Sequence, residues 1–179
     1  MTAYILLGDG FEELEAVAIG DILRRGEIDV KYAGVSGTLI TGAHGIKITA
    51  DTEISSVAVC RDDCFIIPGG MGGVESIENS LAAMEKVKQA GEALARLSAI
   101  CAGPRVLAKA GLLEGKTITC YPGLEHMMTG AAAVTGEPVV ISGSLVTGRS
   151  PGTAVSFALA LLKELGGNYK DVKAGLYCD

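Results

Sequence analysis

Cys101 is the residue of this sequence best placed for covalent chemistry. It follows a predicted strand, residues 96–100, and precedes Pro104, a residue that often occupies the first turn of a helix. Small neighbours suit the strained strand-to-helix turn called a nucleophile elbow, here with cysteine in place of serine. The positive end of the helix dipole favours a thiolate. The pattern predicts a nucleophilic cysteine, and the alternative is an inert buried thiol.

A glycine-rich segment at residues 68–73 is the second candidate for a functional loop. It lacks the Lys-Ser/Thr pair that a phosphate-binding P-loop requires. Bare backbone N–H groups could instead approach a reacting carbonyl, as an oxyanion hole requires. The alternative is a tight turn between a strand and a helix, and the loop by itself does not decide between the two.

Residues 8–15 resemble a dinucleotide-binding fingerprint only superficially. Glu13 stands where the third glycine is required, and the neighbouring carboxylates would repel a pyrophosphate. We interpret Glu12 and Glu13 as first-turn residues that complement the helix dipole. From the pattern alone, Glu15 is a solvated residue of the same helix.

Neither the cysteines nor the histidines form a metal-binding or disulfide pattern. Cys60 and Cys64 have no second ligand pair, so we expect no metal and no cofactor. An odd number of cysteines without a framework indicates reduced thiols and a cytoplasmic protein. Neither His44 nor His126 has a spacing that makes it the base for Cys101. The five cysteines are Cys60, Cys64, Cys101, Cys120 and, in the tail, Cys178.

Short apolar runs alternate with helical stretches along the chain, which predicts a parallel sheet covered by helices on both faces. In the first helix, residues 12–25, the spacing predicts one buried face, formed by Leu14, Val17, Ala18 and Ile22. A hairpin is expected around residues 42–45, and a helix capped by Ser80 at residues 81–95. No linker interrupts the 179 residues, so we expect a single domain over residues 1–179.

Composition argues against several classes of partner. The net charge is −6 with 4% aromatic residues and no basic cluster, which argues against nucleic acid and anionic membranes. No apolar run approaches the roughly 18 residues that span a bilayer. The first residues lack a basic leader, so no signal peptide is expected.

Four segments together resemble the ThiJ/PfpI superfamily, in the branch of the parkinsonism-associated deglycase. Residues 99–104 are similar to its nucleophile turn, 11–17 to its first-helix motif, 67–70 to its glycine loop, and 150–153 to the turn before its long late helix. The order and spacing of these four segments agree with those of the superfamily, and the resemblance covers essentially the whole chain. It implies a flavodoxin-like three-layer α/β/α sandwich with a mostly parallel sheet, assembled as a homodimer.

The resemblance also implies roles for particular residues. Cys101 would be the nucleophilic, easily oxidised thiol, and Glu15 a buried carboxyl hydrogen-bonded to it, which reverses the solvated interpretation of Glu15. A carboxyl beside a thiolate in a partly apolar pocket should have a raised pKa and donate its proton. Gly69, Gly70 and Ala102 would supply backbone donors to an oxyanion or a sulfinate.

Further positions are similar to residues that line or approach the pocket in relatives. Arg149 and His44 are two of these, the latter across the dimer interface, and Tyr121 or His126 would assist the chemistry. Tyr121 departs from the pattern, since glyoxalase and deglycase relatives have histidine there; a tyrosine, with a reference pKa near 10, is a poor general base. Ala102 stands where the protease-like members have histidine, so peptidase activity is not expected.

Together these features predict a cofactor-free, cysteine-dependent enzyme of the glyoxalase or deglycase type. Its substrates would be small aldehydes such as methylglyoxal or glycated adducts, attacked by Cys101 to give a hemithioacetal. The alternative is a redox-responsive protein whose Cys101 is oxidised to sulfinate, a role that needs no histidine. A noncatalytic dimeric scaffold would require Cys101 to be inert.

Overall fold

Strands and helices alternate along the chain in the computed structural model, which describes residues 1–177. Cys178 therefore lies outside the described residues. The strands are β1 (Ala3–Leu7), β2 (Val30–Gly34), β3 (Leu39–Thr41), β4 (Lys47–Thr49), β5 (Thr52–Glu53), β6 (Cys64–Ile67), β7 (Arg96–Ile100), β8 (Thr117–Thr119), β9 (Ala133–Thr135), β10 (Val139–Ser142) and β11 (Leu145–Gly148). The helices are α1 (Glu13–Arg25), α2 (Met71–Asn79), α3 (Leu81–Glu92), α4 (Pro104–Lys109), α5 (Ala154–Glu164) and α6 (Tyr169–Gly175), with 3₁₀ turns at Ile54–Ser56, Glu125–Met127 and Pro151–Thr153.

Seven strands form the central sheet in the order β10-β11-β7-β6-β1-β2-β5. All neighbours pair in parallel except β10 and β11, which are antiparallel. The β3–β4 hairpin and the β8–β9 pair lie outside this sheet. The chain moves from β1 to β2 in one direction and from β6 to β7 in the other, so the strand order reverses between β1 and β6. Ligand sites of open α/β sheets form at such a reversal, beyond the carboxyl ends of the strands.

Helices cover the sheet in two groups. α1 packs against α5, and α2 packs against α3 and α4. Because strand-to-strand crossovers are right-handed, helices that follow β1 and helices that follow β6 lie on opposite faces. The three-layer α/β/α architecture with a mostly parallel sheet is therefore confirmed. The predicted hairpin is present as β3–β4, and Ser80 caps α3 by accepting the N–H of Ala83 at 3.2 Å.

The glycine-rich segment is a tight turn that continues into α2, one of the two alternatives left open by the sequence. Glycine, although a poor helix former, is required at Gly73, where the helix crosses the β1–α1 loop and a Cβ would stand 2.7 Å from the Cα of Phe11. The predicted buried face of α1 was wrong in part, since Leu14 and Val17 are 57% and 47% exposed whereas Ile22 is buried.

The opposite stripe of α1 packs on the sheet. Its buried residues include Ile19 and Leu23 and, unexpectedly for charged residues, Glu13 and Glu15. Two apolar stripes run along this helix, and helical periodicity cannot tell which of them meets the sheet. The side that packs inward is the one that carries Glu15 to the ends of the strands.

A buried ion pair joins the two helices that follow the site loops. The guanidinium of Arg105 in α4 donates two hydrogen bonds of 2.7 Å to the carboxylate of Glu78 in α2. Both side chains are 11% exposed, and Lys109 adds a bond of 2.9 Å to the carbonyl of Glu78. Glu78 lies in the last turn of α2 and Arg105 in the first turn of α4, so this bidentate pair fixes the relative orientation of these two helix ends.

None of the helices within residues 1–177 combines the length and the apolar character that crossing a membrane requires.

Candidate active site

Cys101 occupies a strained turn between β7 and α4. Its φ angle is 62°, in the left-handed region that residues with a side chain rarely adopt. Hydrogen bonds of 2.9 Å hold the turn on both sides: the N–H of Cys101 donates to the carbonyl of Gly148, and its carbonyl accepts from the N–H of Tyr121. The residue is 7% exposed. This is the geometry of the predicted nucleophile elbow.

The turn after β6 brings bare backbone against Cys101. A Cβ at Gly69 would stand 2.7 Å from the Cβ of Cys101, 2.9 Å from its sulfur and 2.9 Å from Oε2 of Glu15. Gly70 has a φ of 83°, and a Cβ there would stand 2.3 Å from the carbonyl oxygen of Gly10. Glycine is therefore required at both positions, and the approach of the two loops creates the site.

Glu15 reaches this point from the inner face of α1 and is fully buried. Its Oε2 accepts a hydrogen bond of 2.6 Å from the N–H of Gly69. Its Oε1 is sealed from solvent and has no hydrogen-bond partner within the described part of the chain. An unpaired buried carboxylate oxygen is costly, whereas a protonated carboxyl carries a donor that can be offered to the neighbouring sulfur.

A cavity of about 580 Å³ opens onto the sulfur of Cys101. Its wall includes Glu12, Gly70, Met71, Tyr121 and Leu124. Two depressions of similar volume, on the exposed side of α1 and at the opposite end of the sheet, contain no cysteine. Of these three cavities, only this one is lined by a thiol, together with Gly70 and Ala102; the buried Glu15 lies beside Cys101 but is not part of the cavity wall.

The whole architecture corresponds to known structures. The chain aligns with the crystal structure of Drosophila melanogaster DJ-1beta at a TM-score of 0.92 and 32% identity, covering 99% of this chain and 98% of that one. Residues 1–164 match the model of the DJ-1/PfpI family. The chain belongs to the DJ-1/PfpI family.

Other members of the DJ-1/PfpI family are similar over nearly their full length. The protein named dj-1beta of Drosophila melanogaster is 35% identical over 179 residues, covering 98% of this chain and 96% of that one. The protein named glutathione-independent glyoxalase DJR-1.2 of Caenorhabditis elegans is 36% identical over 171 residues, with coverages of 94% and 91%. The structure described as Toxoplasma gondii DJ-1, oxidized, aligns at a TM-score of 0.91 with 31% identity and coverages of 98% and 97%.

Glu15 and Cys101 are buried side by side, so the charge of each affects the pKa of the other. Burial raises the pKa of Glu15 to about 7, against which the hydrogen bond from Gly69 acts. Burial, joined by the negative charge of Glu15, also raises the pKa of the Cys101 thiol, while N–H groups of Ala102 and Gly70 lower it. Burial therefore raises the pKa of the thiol more than the positive end of the helix dipole, the effect expected from the sequence, lowers it. Protonation of Glu15 removes the repulsion, so a thiolate at Cys101 is less unfavourable beside the neutral carboxyl than beside the carboxylate.

Glu15→Gln is expected to remove a pH-dependent loss of stability. The folded pKa of Glu15 lies above its unfolded value, so its neutral form stabilises the fold below about pH 4.5, and that stabilisation is lost as the pH rises through about 7. Between those limits the wild type should lose on the order of 3 kcal/mol relative to the variant. Urea unfolding of both proteins at pH 4.5 and pH 8 measures this difference.

Titration of the Cys101 thiol separates a hydrogen-bonding role of Glu15 from simple space filling. Glutamine retains an acceptor for the N–H of Gly69 and a donor for the sulfur, whereas Glu15→Leu retains neither, so its thiol pKa should be higher by about one unit or more. Glu85→Gln, exposed on α3, is the matched control. Identical thiol titrations in the glutamine and leucine variants would refute the assignment.

The remaining candidates named from the sequence lie at different distances from the cavity. Tyr121 lines it, and its backbone N–H is bonded to Cys101. His126 is exposed in the 3₁₀ turn and does not line the cavity, and neither does Arg149, whose N–H donates to the carbonyl of Pro138. His44 stands at the tip of the β3–β4 hairpin, with its side chain 70% exposed.

Glu13 has a structural role that sequence reasoning missed. Its Oε1 accepts the N–H groups of His44 at 2.6 Å and Ile46 at 3.3 Å, and its Oε2 lies 2.8 Å from Nδ1 of His44. Burial acts to raise the pKa of Glu13, but these hydrogen bonds hold it below its usual value. The carboxylate therefore ties the hairpin to α1. No pattern in the sequence predicts this contact, because Glu13 and His44 are 31 positions apart.

Glu12, Glu13 and His44 are also the residues that could hold a metal ion. One ligand atom from each lies within 4.8 Å of the others. The Nδ1 of His44 and Oε2 of Glu13 already bond to each other, and Oε2 of Glu12 is 4.0 Å from that nitrogen. An ion there would have to displace this hydrogen bond, and all three residues border the exposed side of α1, although Glu12 also lines the Cys101 cavity.

Proposed function

We propose that this DJ-1/PfpI member converts 2-oxoaldehydes such as methylglyoxal into 2-hydroxyacids without a cofactor. The observation that carries the proposal is the convergence of the Cys101 sulfur and the Glu15 carboxyl beside Gly69, with Cys101 itself lining an open cavity. The glyoxalase name of a relative 36% identical to this chain supports the same chemistry.

The first step forms a carbon–sulfur bond. The thiolate of Cys101 adds to the aldehyde carbon, and the carbonyl electron pair moves to oxygen. The N–H groups of Gly70 and Ala102, which lower the pKa of Cys101, would stabilise the oxyanion. The neutral carboxyl of Glu15 supplies the proton that converts this oxyanion into a hemithioacetal.

The second step moves a proton and then releases the product. The Glu15 carboxylate takes the proton from the former aldehyde carbon and returns it to the neighbouring carbon. The hydroxyl proton of the hemithioacetal moves to the neighbouring carbonyl oxygen, which gives a 2-hydroxyacyl thioester. Water hydrolyses the thioester and restores the thiol. One water is consumed and no electrons are exchanged with a cofactor. Tyr121, at the cavity wall, assists by hydrogen bonding to the second carbonyl oxygen.

Product formation tests this proposal directly. Purified protein incubated with methylglyoxal or glyoxal should yield lactate or glycolate in amounts that exceed the protein many times over. The same assay with preformed adducts of methylglyoxal on amines and thiols tests glycated substrates. No lactate above that formed by Cys101→Ser would overturn the proposal.

A redox role is the second candidate, favoured by Tyr121 in place of the family histidine. Two equivalents of peroxide would convert the Cys101 thiolate into a sulfinate and release two waters. Gly70 and Ala102 would stabilise its oxygens and Glu15 would donate a hydrogen bond.

Under mild peroxide, Cys101 is expected to gain two oxygen atoms before Cys60, which is exposed. Peptide mass spectrometry over time measures the two rates. Equal rates at Cys101 and Cys60 would reject the redox role.

We further propose a homodimer formed through the exposed side of α1. Leu14, Val17 and, from the hairpin, Ile46 are 47–57% exposed and line a single depression. An apolar face on the first helix beside an ordered hairpin is typical of an interface between copies. Residues 1–179 would act as one domain of each subunit in a reducing cytoplasm, consistent with the four free thiols of the described chain.

Val17→Glu is expected to shift the assembly from dimer to monomer, because a buried unpaired charge opposes association. Light scattering after size exclusion measures the mass. Leu81→Glu, at a position 90% exposed on α3, should leave the mass unchanged. A wild-type mass equal to one chain would exclude the dimer.

A further inference from the structure

Glu12 contributes the only carboxylate or other formally charged side chain among the described residues that line the Cys101 cavity. It precedes α1 at the N-cap position, but its side chain accepts no hydrogen bond from the helix. Its position at the start of α1 agrees with the dipole role expected from the sequence, but no hydrogen bond to the helix fixes the carboxylate there. The side chain is 18% exposed, and Glu12 borders both this cavity and the depression on the exposed side of α1.

No cation of the described chain neutralises this carboxylate inside the cavity. The nearest basic group, Nδ1 of His44, lies 4.0 Å from Oε2 of Glu12, but it is bonded to Glu13 at 2.8 Å and its side chain is 70% exposed. Arg149 and His126 do not line the cavity. The negative charge of Glu12 also contributes to the raised pKa of Glu15, so its field reaches the reacting groups.

We propose that Glu12 is a specificity-determining residue that admits neutral or cationic carbonyl compounds to Cys101 and excludes anionic ones. This rests on the proposed function and adds the charge class of its substrate. Aldehydes that carry a carboxylate or a phosphate are repelled by Glu12. The product of a 2-oxoaldehyde is itself a carboxylate, so the same charge promotes its release.

The expected size of the effect follows from the distance over which the two charges act. A ligand carboxylate bound at Cys101 stands one small molecule away from Glu12, in a cavity open to solvent. At that range, and with partial screening by solvent, repulsion between the two like charges gives roughly a tenfold preference for a neutral compound over an anionic one. Because the cavity is open, salt weakens the repulsion, and most of the discrimination should disappear near 1 M ionic strength.

Alkylation of Cys101 by a neutral and an anionic reagent of nearly equal size tests the proposal without requiring turnover. Iodoacetamide and iodoacetate both form a carbon–sulfur bond and release iodide. Their rate ratio at Cys101, divided by the ratio for N-acetylcysteine, should be about ten in the wild type at low salt and should fall towards one in Glu12→Gln. Glu92→Gln, exposed on α3, is the control and should keep the wild-type ratio.

The outcomes separate this proposal from the proposed function. An unchanged ratio in Glu12→Gln overturns the selective role, as does a change in both rates by the same factor, which would indicate a structural effect. Failure of iodoacetamide to alkylate Cys101 would overturn it as well. If the alkylation ratio falls towards one in Glu12→Gln but the wild type forms no lactate, charge selection by Glu12 is supported and the proposed enzymatic function is rejected.

A second pair of probes carries the test to substrates. Phenylglyoxal and 4-carboxyphenylglyoxal differ by one carboxylate on the same ring. The ratio of their kcat/KM values should be about ten in the wild type and close to one in Glu12→Gln, with the change located mainly in the anionic compound. A wild-type enzyme that turns over both compounds equally would contradict the proposal.

Discussion

Cys101→Ser is expected to lower lactate formation from methylglyoxal by at least about a thousandfold, because removing the nucleophile of a covalent mechanism removes the whole pathway. A serine hydroxyl fits the same space, but it ionises far less readily than a thiol beside Glu15. Folding should be little affected, since the substitution keeps the volume and the residue is 7% exposed. Initial rates and thermal unfolding of both proteins measure these two effects.

The control is a cysteine outside the cavity. Cys60→Ser removes an exposed thiol and should retain the wild-type rate. A comparable loss in the two variants would show that turnover depends on general thiol chemistry. A Cys101→Ser protein that retains one tenth of the activity would contradict a covalent role for this sulfur.

Gly69→Ala is expected to disable the site by a different route. The added methyl group would stand 2.7–2.9 Å from the side chain of Cys101 and from Oε2 of Glu15, closer than real contacts allow. Neither neighbour can move freely: Cys101 is held in a strained turn, and Glu15 is buried and bonded to the N–H of Gly69. We expect a loss of about a hundredfold in kcat/KM and about 1–3 kcal/mol in the free energy of unfolding.

Gly136→Ala is the matched control for this substitution. A Cβ at Gly136 meets no atom within 4 Å, so the variant should behave as the wild type in both measurements. Equal activity in Gly69→Ala and Gly136→Ala would show that the two loops are less tightly packed than their geometry indicates. A loss of stability without a loss of activity would limit the role of Gly69 to folding.

Much of the site could be predicted from local sequence. The apolar segment, Cys101, its small neighbours and Pro104 determine a strand, a tight turn and a helix start within a few residues, and the structure has all three. The glycines after β6 likewise indicate close backbone approach. Such features are readable because the forces that decide them, chain sterics and helix termination, act between near neighbours.

The role of α1 shows where local reasoning ends. Helical periodicity identified an apolar stripe through Leu14 and Val17 and assigned it to the core, and the pattern by itself placed Glu15 in solvent. The resemblance to known proteins, and not the pattern, supplied the buried carboxyl. The structure confirms that burial, because packing α1 with its other stripe against the sheet places Glu15 beside Gly69.

The sequence by itself determined the alternation of strands and helices and the turn that presents Cys101, since each depends on residues a few positions apart. Only the tertiary structure decided which side of α1 is buried, that neither histidine lines the Cys101 cavity within the described chain, and that Glu12 does. These depend on the packing of segments from distant parts of the chain, where burial and like charge compete. A sequence pattern contains neither the distances between these groups nor their solvent exposure, and both are needed to decide which effect is larger.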